Sequence, residues 1–423
     1  MAWGTMAVDW ETRVDYDRLR KYRLARAREQ LNKNKIGAFL CFEFYNIRYL
    51  TGVHIGEWAR DKMNRYALLP RGQDPILFEM GTAALAHKLY SPWIADRVRY
   101  ALPTWTRADG LKGAEVAGNL ARAIKDILRD YGLEQEPLGV DVADVVFLDA
   151  LHREGLEVVD ARSPMLDARL IKSQDEIQLL KVAAAMADAA YDTIVRAIKP
   201  GVKENELVAV ANETLYRLGS EDVECVNVVS GPRSNPHPHV FSDRIVRPGD
   251  LVYFDLMHAY NGYRTCYYRT FICGRPTPEQ KAAYRQTYEW LYDAASVVRP
   301  GITSADIASR YPTYEAWGLH SELEARGLAT GHGIGLSIHE KPGINRIESL
   351  SNPFPIQEGM VFALETYAQT PDGRQGCRIE EEVLVTATGH EILTKYPCEE
   401  LISCGVPHYC RGGIHEIDGT ARV

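Results

Sequence analysis

A single carboxylate inside an apolar run constrains this chain more than any other feature. Leu251-Val252-Tyr253-Phe254-Asp255-Leu256 is apolar and aromatic except for Asp255. Such a run reads as a buried strand. Burying a carboxylate is costly without a cation or hydrogen-bond donors. Asn261-Gly262 is a strong turn signal. Tyr263 to Ile272, rich in aromatic and β-branched residues, reads as the return strand. The stretch predicts a β-hairpin holding a carboxylate that needs a partner. For Asp255 alone, backbone amides are as good a partner as a metal.

The rest of the chain narrows the classes of protein this can be. Its 423 residues leave room for two or three domains. At 46% hydrophobic and 25% charged, the composition is that of a soluble globular protein. A net charge of −8 argues against nucleic acid or an anionic membrane surface as the main partner. No apolar run approaches the roughly 18 residues that span a bilayer. The stretch up to Asp17 mixes both signs of charge without an apolar core, unlike a secretory signal. Cys41, Cys225, Cys266, Cys273, Cys377, Cys398, Cys404 and Cys410 follow no framework spacing, so reduced thiols in a cytoplasmic protein are expected.

Read in order, Asp15 to Lys33 is an amphipathic helix, with Leu19, Tyr22 and Leu31 on its inner face. Strands are expected at Ile36–Phe42, Tyr66–Leu69, Pro75–Phe78 and Leu138–Val140, helices at Gly113–Tyr131 and Val145–Glu154, and a loop at Asn46–Gly52. This alternation predicts an α/β domain with a partly parallel sheet over residues 1–160. A long helical segment, Leu166–Ile198, follows, restarted by a capping box at Ser173 and Glu176 and closed by Pro200-Gly201. Asn205–Leu218 is helical, and a helix capped by Thr277, with Pro278 at its first position, runs to Val298 before Pro300-Gly301. Ser304–Tyr311 and Ser321–Arg326 add short helical pieces. Strands are expected at Val223–Val229, in the hairpin, at Met360–Glu365 and at Arg378–Val385. These predict an α+β domain over residues 165–402, with 403–423 as a polar tail. The two Pro-Gly stops, one hundred residues apart, hint at an internal duplication.

Side chains suited to a cation gather in this second domain. Gly331-His332-Gly333-Ile334-Gly335 leads to His339, seven residues after His332. Phe362-Ala363-Leu364-Glu365 and Arg378-Ile379-Glu380 place carboxylates in apolar strands, and Asn235-Pro236-His237-Pro238-His239 precedes the hairpin. Taken singly each is weak: a histidine in a glycine-rich loop is more often only hydrogen-bonded, and a strand glutamate can simply pair with Arg378. Together Asp255, His332, Glu365 and Glu380 offer hard oxygen donors and one imidazole, a set that suits Mn²⁺, Fe²⁺, Co²⁺ or Zn²⁺.

The order and flanks of these motifs closely resemble the pita-bread fold of methionine aminopeptidase, aminopeptidase P, prolidase and creatinase. Asn46-Ile47-Arg48-Tyr49-Leu50-Thr51-Gly52 is similar to the N-terminal domain of the prolidase and creatinase branch. The resemblance implies a pita-bread catalytic domain, a creatinase-like N-terminal domain, and a homodimer in which the N-terminal domain of one subunit reaches the other's pocket. It implies that Asp255 chelates one metal, that His332 and Glu365 bind a second, and that Glu380 bridges them. His339 would bond the substrate carbonyl or the tetrahedral intermediate, and His237 or His239 would be a further substrate-binding histidine. Where the family has its second aspartate, eleven residues after the first, this chain has Cys266. Three readings follow: one metal, two metals with Cys266 as a soft ligand, or a metal-free site as in creatinase. Tyr267 and Tyr268 replace smaller family residues, which implies a remodelled pocket. Tyr263, Tyr268 and Arg378 are assigned to substrate contact.

The expected function is metal-dependent hydrolysis of a C–N bond in a small substrate, an X-Pro dipeptide or a creatine- or ectoine-like compound. Metal-activated water would attack, Glu365 would take the proton, and one or two divalent ions would be the cofactor. The alternatives are a metal-free creatinase-like hydrolase and a lyase of a sulfonium or betaine-type osmolyte, resembling the dimethylsulfoniopropionate lyase of this fold. For the lyase, Tyr253, Tyr260, Tyr263, Tyr267 and Tyr268 would cage the cationic head.

Overall fold

The computed structural model describes residues 14–56, 63–107 and 110–406. They form two compact units, divided between Asp175 and Glu176.

The first unit carries six strands: β1 Ala38–Cys41, β2 Tyr66–Pro70, β3 Ile76–Glu79, β4 Val98–Tyr100, β5 Leu138–Val140 and β6 Val158–Asp160. They form one sheet in the order β4-β3-β2-β1-β5-β6. It is parallel at β3/β4, β1/β5 and β5/β6, and antiparallel at β1/β2 and β2/β3. Helices Gly110–Asp130 and Val145–Arg153 contribute Leu120, Ile124, Phe147 and Leu151 to the core over β1 and β5. The stretch expected as a loop is a helix, Phe44–Thr51. Gly52, at φ 70, closes it by donating its N–H to Arg48 O at 2.8 Å, the left-handed cap that glycine adopts readily. Ile47, Tyr49 and Leu50 are buried by this turn.

The second unit has ten strands: β7 Asp222–Ser230, β8 Leu251–Tyr260, β9 Tyr263–Arg264, β10 Tyr268–Cys273, β11 Ala329–Gly333, β12 Glu340–Ile344, β13 Val361–Gln369, β14 Gly376–Val385, β15 His390–Ile392 and β16 Ile402–Cys404. One sheet runs β16-β10-β8-β7, with β9 on β8; the other runs β12-β11-β13-β14-β15. Side chains of β10 tie the sheets together. Arg269 Nη1 donates to Glu380 O at 2.7 Å, and Thr270 Oγ1 donates to Arg378 O at 2.7 Å while accepting from Arg378 N at 2.8 Å. Helices Gln174–Ala197 and Glu204–Leu218 bury Tyr191, Ile194, Leu207 and Leu215 with Val228, Val252, Phe254 and Phe271 of the first sheet. Helix Pro278–Ser296 starts from Thr277 as expected.

Three features of the second unit depart from the sequence reading. Ser321–Arg326 is a turn, not a helix: only Ala325 N reaches Ser321 O, three-residue bonds follow, and Gly327 at φ 88 ends it. The return strand of the hairpin is broken at residues 265–267. There Thr265 Oγ1 donates to Leu256 O at 2.8 Å and Tyr267 N turns to Asp255 Oδ1 at 3.2 Å, so the ladder is interrupted while the register stays the same on either side. Finally, the sheet extends beyond residue 402. β16 pairs in parallel with β10, aligning Cys404 with Cys273, and Cys404 is buried against the core. The remainder of the expected tail from 407, including Cys410, lies outside the described residues. The seven described cysteines are free thiols.

The segments that follow the two Pro-Gly stops repeat one pattern of backbone hydrogen bonds. Gly201 N bonds Val246 O at 2.9 Å, and Gly301 N bonds Ile356 O at 3.1 Å. Gly249 N bonds Cys273 O at 2.7 Å, and Gly359 N bonds Val385 O at 2.9 Å. Both Gly249 and Gly359 have positive φ, 87° and 83°, immediately before β8 and β13. Counting from these glycines places Asp255 and Glu365 at equivalent positions of the two repeats.

Candidate metal centre

The strand periodicities bring five ionisable side chains of the second unit together. In β8 the apolar neighbours of Asp255 hold that strand between β7 and β10, so its carboxylate is only 2% exposed. β13 and β14 pair Glu365 directly with Glu380. Like charges directly opposed across an antiparallel pair are destabilising. Neither is at the surface: Glu365 is 8% and Glu380 0% exposed, with His332 at 8% and Cys266 at 5%. His332 comes from β11, whose glycines permit the close approach. A Cβ at Gly333 would stand 2.0 Å from Lys341 O. His332 Nδ1 lies 3.1 Å from Gly333 O, which makes Nδ1 the donor and leaves Nε2 a free lone pair 3.7 Å from Glu380 Oε1. In the unchanged register between β9 and β10, alternation puts Cys266 on the same face as Asp255. Cys266 Sγ is 3.8 Å from Asp255 Oδ1, and ligand atoms of Cys266, His332 and Glu380 all lie within 4.8 Å of one another.

Whether these residues suit a cation is decided by their partners. Asp255 accepts from Tyr267 N at 3.2 Å and from Asn227 Nδ2 at 3.3 Å. Glu365 Oε2 accepts from Arg378 Nε at 2.9 Å. Both oxygens of Glu380 are buried with no hydrogen-bond partner among the described residues. A carboxylate left so is costly. Burial, then Glu365, then Asp255 push the Glu380 carboxyl well above its usual range. Burial and Glu365 push Asp255 up to about 6. Burial lowers His332, and burial with Asp255 and Glu380 raises the Cys266 thiol far above its ordinary value. Burial favours the neutral form of all four groups, and the neighbouring carboxylates add to it for Asp255, Glu380 and Cys266. A divalent cation reverses that preference for the two carboxylates and the thiol and keeps His332 in the neutral form that ligates, so the donors fit one.

The model of metallopeptidase family M24 matches residues 178–387, and that of the creatinase/prolidase N-terminal domain matches residues 23–171. The probable dipeptidase PepE of Mycobacterium bovis is 33% identical over 285 residues, covering 64% of this chain and 73% of that protein. This chain belongs to metallopeptidase family M24. The Xaa-Pro dipeptidase from Bacillus anthracis superposes with a TM-score of 0.70 at 26% identity, over 90% of this chain and 99% of that one. The dimethylsulfoniopropionate lyase DddP of Roseovarius nubinhibens is 24% identical over 94% of this chain and 90% of its own. The M24 fold expected of the second unit and the creatinase-like fold of the first therefore stand.

Within this M24 centre the other expected site residues lie at different depths. His339 is exposed, its ring 4.5 Å from that of His332. The sequence left His237 and His239 open, and the structure separates them. His237 is half-buried, with Nδ1 2.7 Å from Tyr253 Oη and Nε2 3.3 Å from Tyr268 Oη. Burial, Arg378 and His239 hold it neutral. His239 is exposed and packs edge-on against the His237 ring. The three residues assigned to substrate contact are buried and already engaged. Tyr263 Oη donates to Glu176 at 2.7 Å, Arg378 is ion-paired with Glu365 and lies 5.0 Å from the Tyr268 ring, and Tyr268 faces His237.

Sequence reasoning missed Glu382 and Asn227. Glu382, fully buried, accepts the Cys266 N–H through Oε1 at 3.1 Å. Asn227 lies directly opposite Asp255 on β7. The signal for Glu382 was present: Glu380-Glu381-Glu382 sits inside a strand, where alternate residues share a face. Glu381 points the other way, pairing with Arg269 Nη2 at 2.8 Å. No helix among the described residues is long and apolar enough to cross a membrane.

Proposed function

We propose that this chain is a metal-dependent hydrolase that cleaves a C–N bond in a small, dipeptide-like substrate. The observation that carries the reading is the fully buried Glu380 carboxylate, which opposes Glu365 and lacks any hydrogen-bond donor. Asp255, Cys266, His332, Glu365 and Glu380 are the residues from which a divalent ion would draw its ligands. Such an ion supplies Lewis acidity for a carbonyl and acidifies water at neutral pH.

The chain's own groups supply the rest. Arg378 fixes Glu365 by Oε2, so its carboxylate is oriented to take a proton from attacking water. His339, at the rim, reaches the developing oxyanion. The neutral His237, held between Tyr253 and Tyr268, orients the substrate without adding charge. The dipeptidase names of M24 relatives support a dipeptide as the substrate class. We take the homodimer and the cytoplasm as part of this proposal. It is tested by hydrolysis of an Xaa-Pro and non-proline dipeptide panel by protein loaded with Mn²⁺, Co²⁺, Fe²⁺ or Zn²⁺. No turnover with any ion would sink it.

A second reading, a lyase of a sulfonium osmolyte, is favoured by the match to DddP along nearly the whole chain. Release of an alkene acid, rather than a hydrolysed product, would select it.

A further inference from the structure

The donors of this centre are not equally available. Asp255 has both oxygens engaged, Oδ1 by the Tyr267 amide and Oδ2 by Asn227. Arg378 holds Glu365 by Oε2. Glu380 has no hydrogen-bond partner among the described residues, the Cys266 sulfur has only a long 3.8 Å bond to Asp255 Oδ1, and ligand atoms of Cys266, His332 and Glu380 converge within 4.8 Å. The approach of Cys266 is built rather than accidental. Strand alternation puts it on the Asp255 face, and three bonds hold the chain around it: Thr265 Oγ1 to Leu256 O at 2.8 Å, Cys266 N to Glu382 at 3.1 Å and Tyr267 N to Asp255 at 3.2 Å.

We infer that Cys266 is a thiolate ligand and that the centre takes one thiophilic divalent ion, bound by Cys266, His332 and Glu380. The inference rests on the metal-dependent reading above. Three protein donors with an open fourth position is the pattern of catalytic zinc sites. A sulfur donor favours Zn²⁺, Co²⁺ or Fe²⁺ over Mn²⁺, which prefers oxygen. A thiolate also lacks the second oxygen with which the family's aspartate bridges two ions. Replacing that aspartate by Cys266 thus changes both the ion and the number of ions. Ligation deprotonates the thiol, and the proton passes to solvent.

The test uses the full-length protein, stripped by a chelator and titrated with Co²⁺. The expected result is one Co²⁺ per chain and a thiolate-to-cobalt charge-transfer band in the near ultraviolet. Cys266→Ser is expected to lose the band and to weaken Zn²⁺ binding by more than the roughly 10- to 100-fold typical of a lost supporting partner. Given equal Zn²⁺ and Mn²⁺, the wild type is expected to retain Zn²⁺, and Cys266→Asp to lose the band and gain Mn²⁺. Bound Co²⁺ without the band, two ions per chain at saturation, or retention of Mn²⁺ by the wild type would overturn the inference. If the variants fail to fold, the wild-type spectrum and ion count still decide it. Dipeptide hydrolysis on the same samples keeps the two readings apart. A band without hydrolysis removes the hydrolase and leaves the thiolate; hydrolysis without a band does the reverse.

Discussion

Glu365 and Glu380 face each other across β13 and β14, yet Arg378 bonds only Glu365. One carboxylate has a resident cation and its neighbour has none. That asymmetry separates two tasks within one strand pair. Glu365 is fixed and oriented, while Glu380 is left with two unsatisfied oxygens for an incoming ion.

Glu365→Gln keeps the shape and removes the base. Activity of the metal-loaded protein is expected to fall roughly 10²- to 10⁴-fold, the usual contribution of general base catalysis. Steady-state kinetics on the best dipeptide of the panel measure it. An unchanged kcat would remove Glu365 from the proton-transfer role.

Arg378→Gln breaks a buried ion pair and leaves Glu365 and Glu380 opposed without a cation. Loss of one partner of such a pair is destabilising by about 3–5 kcal/mol. Denaturant unfolding of the metal-free variant should show that loss. Added Zn²⁺ should restore more stability to the variant than to the wild type, because the ion then supplies the missing positive charge.

His258 gives a pH prediction independent of the metal. It is fully buried, with Nε2 donating to Ala183 O at 3.0 Å and Nδ1 3.1 Å from Ser220 Oγ, and burial lowers it to about 4. The folded state therefore binds this proton less readily than the unfolded chain. Its stabilising contribution is complete above about pH 6.5 and is lost as pH falls toward 4. The shift is worth about 3 kcal/mol at most. Measured between pH 7 and 4, stability of His258→Gln should fall less steeply than that of the wild type; parallel curves would contradict the assignment.

His237 is held neutral, so its loss should lower kcat/KM without moving the pH profile between pH 5 and 8. His237→Ala is expected to lose roughly 10- to 100-fold, equivalent to about 1.4–2.7 kcal/mol. The exposed His239→Ala should lose less. A displaced profile in His237→Ala would mean that His237 titrates during turnover.

The parts of the centre on regular strands were legible in the sequence. Asp255, Glu365 and Glu380 stand out because each interrupts an apolar run, and period-2 alternation forces them inward. The glycines around His332 marked a close approach in the same way. The illegible parts depend on tertiary bonds. The break at residues 265–267 follows from the Cys266 and Tyr267 amides turning to the Glu382 and Asp255 side chains while Thr265 Oγ1 donates to Leu256 O, which no local propensity encodes. The choice between His237 and His239 rests on two tyrosine hydroxyls from other strands. Asn46–Gly52 looked like a loop because its helix is only eight residues long and relies on the Gly52 cap. Glu382 was passed over because Glu380 already satisfied the expected motif.

The matching hydrogen bonds at Gly249 and Gly359 carry one more consequence. Asp255 and Cys266 belong to the earlier repeat, His332, Glu365 and Glu380 to the later, and neither half holds a full set of donors. A nascent chain therefore has no complete centre until Glu380 has been synthesised and the two sheets have met. Metal uptake is in this sense a readout of completed assembly: an ion that binds reports that both halves of the fold have found each other.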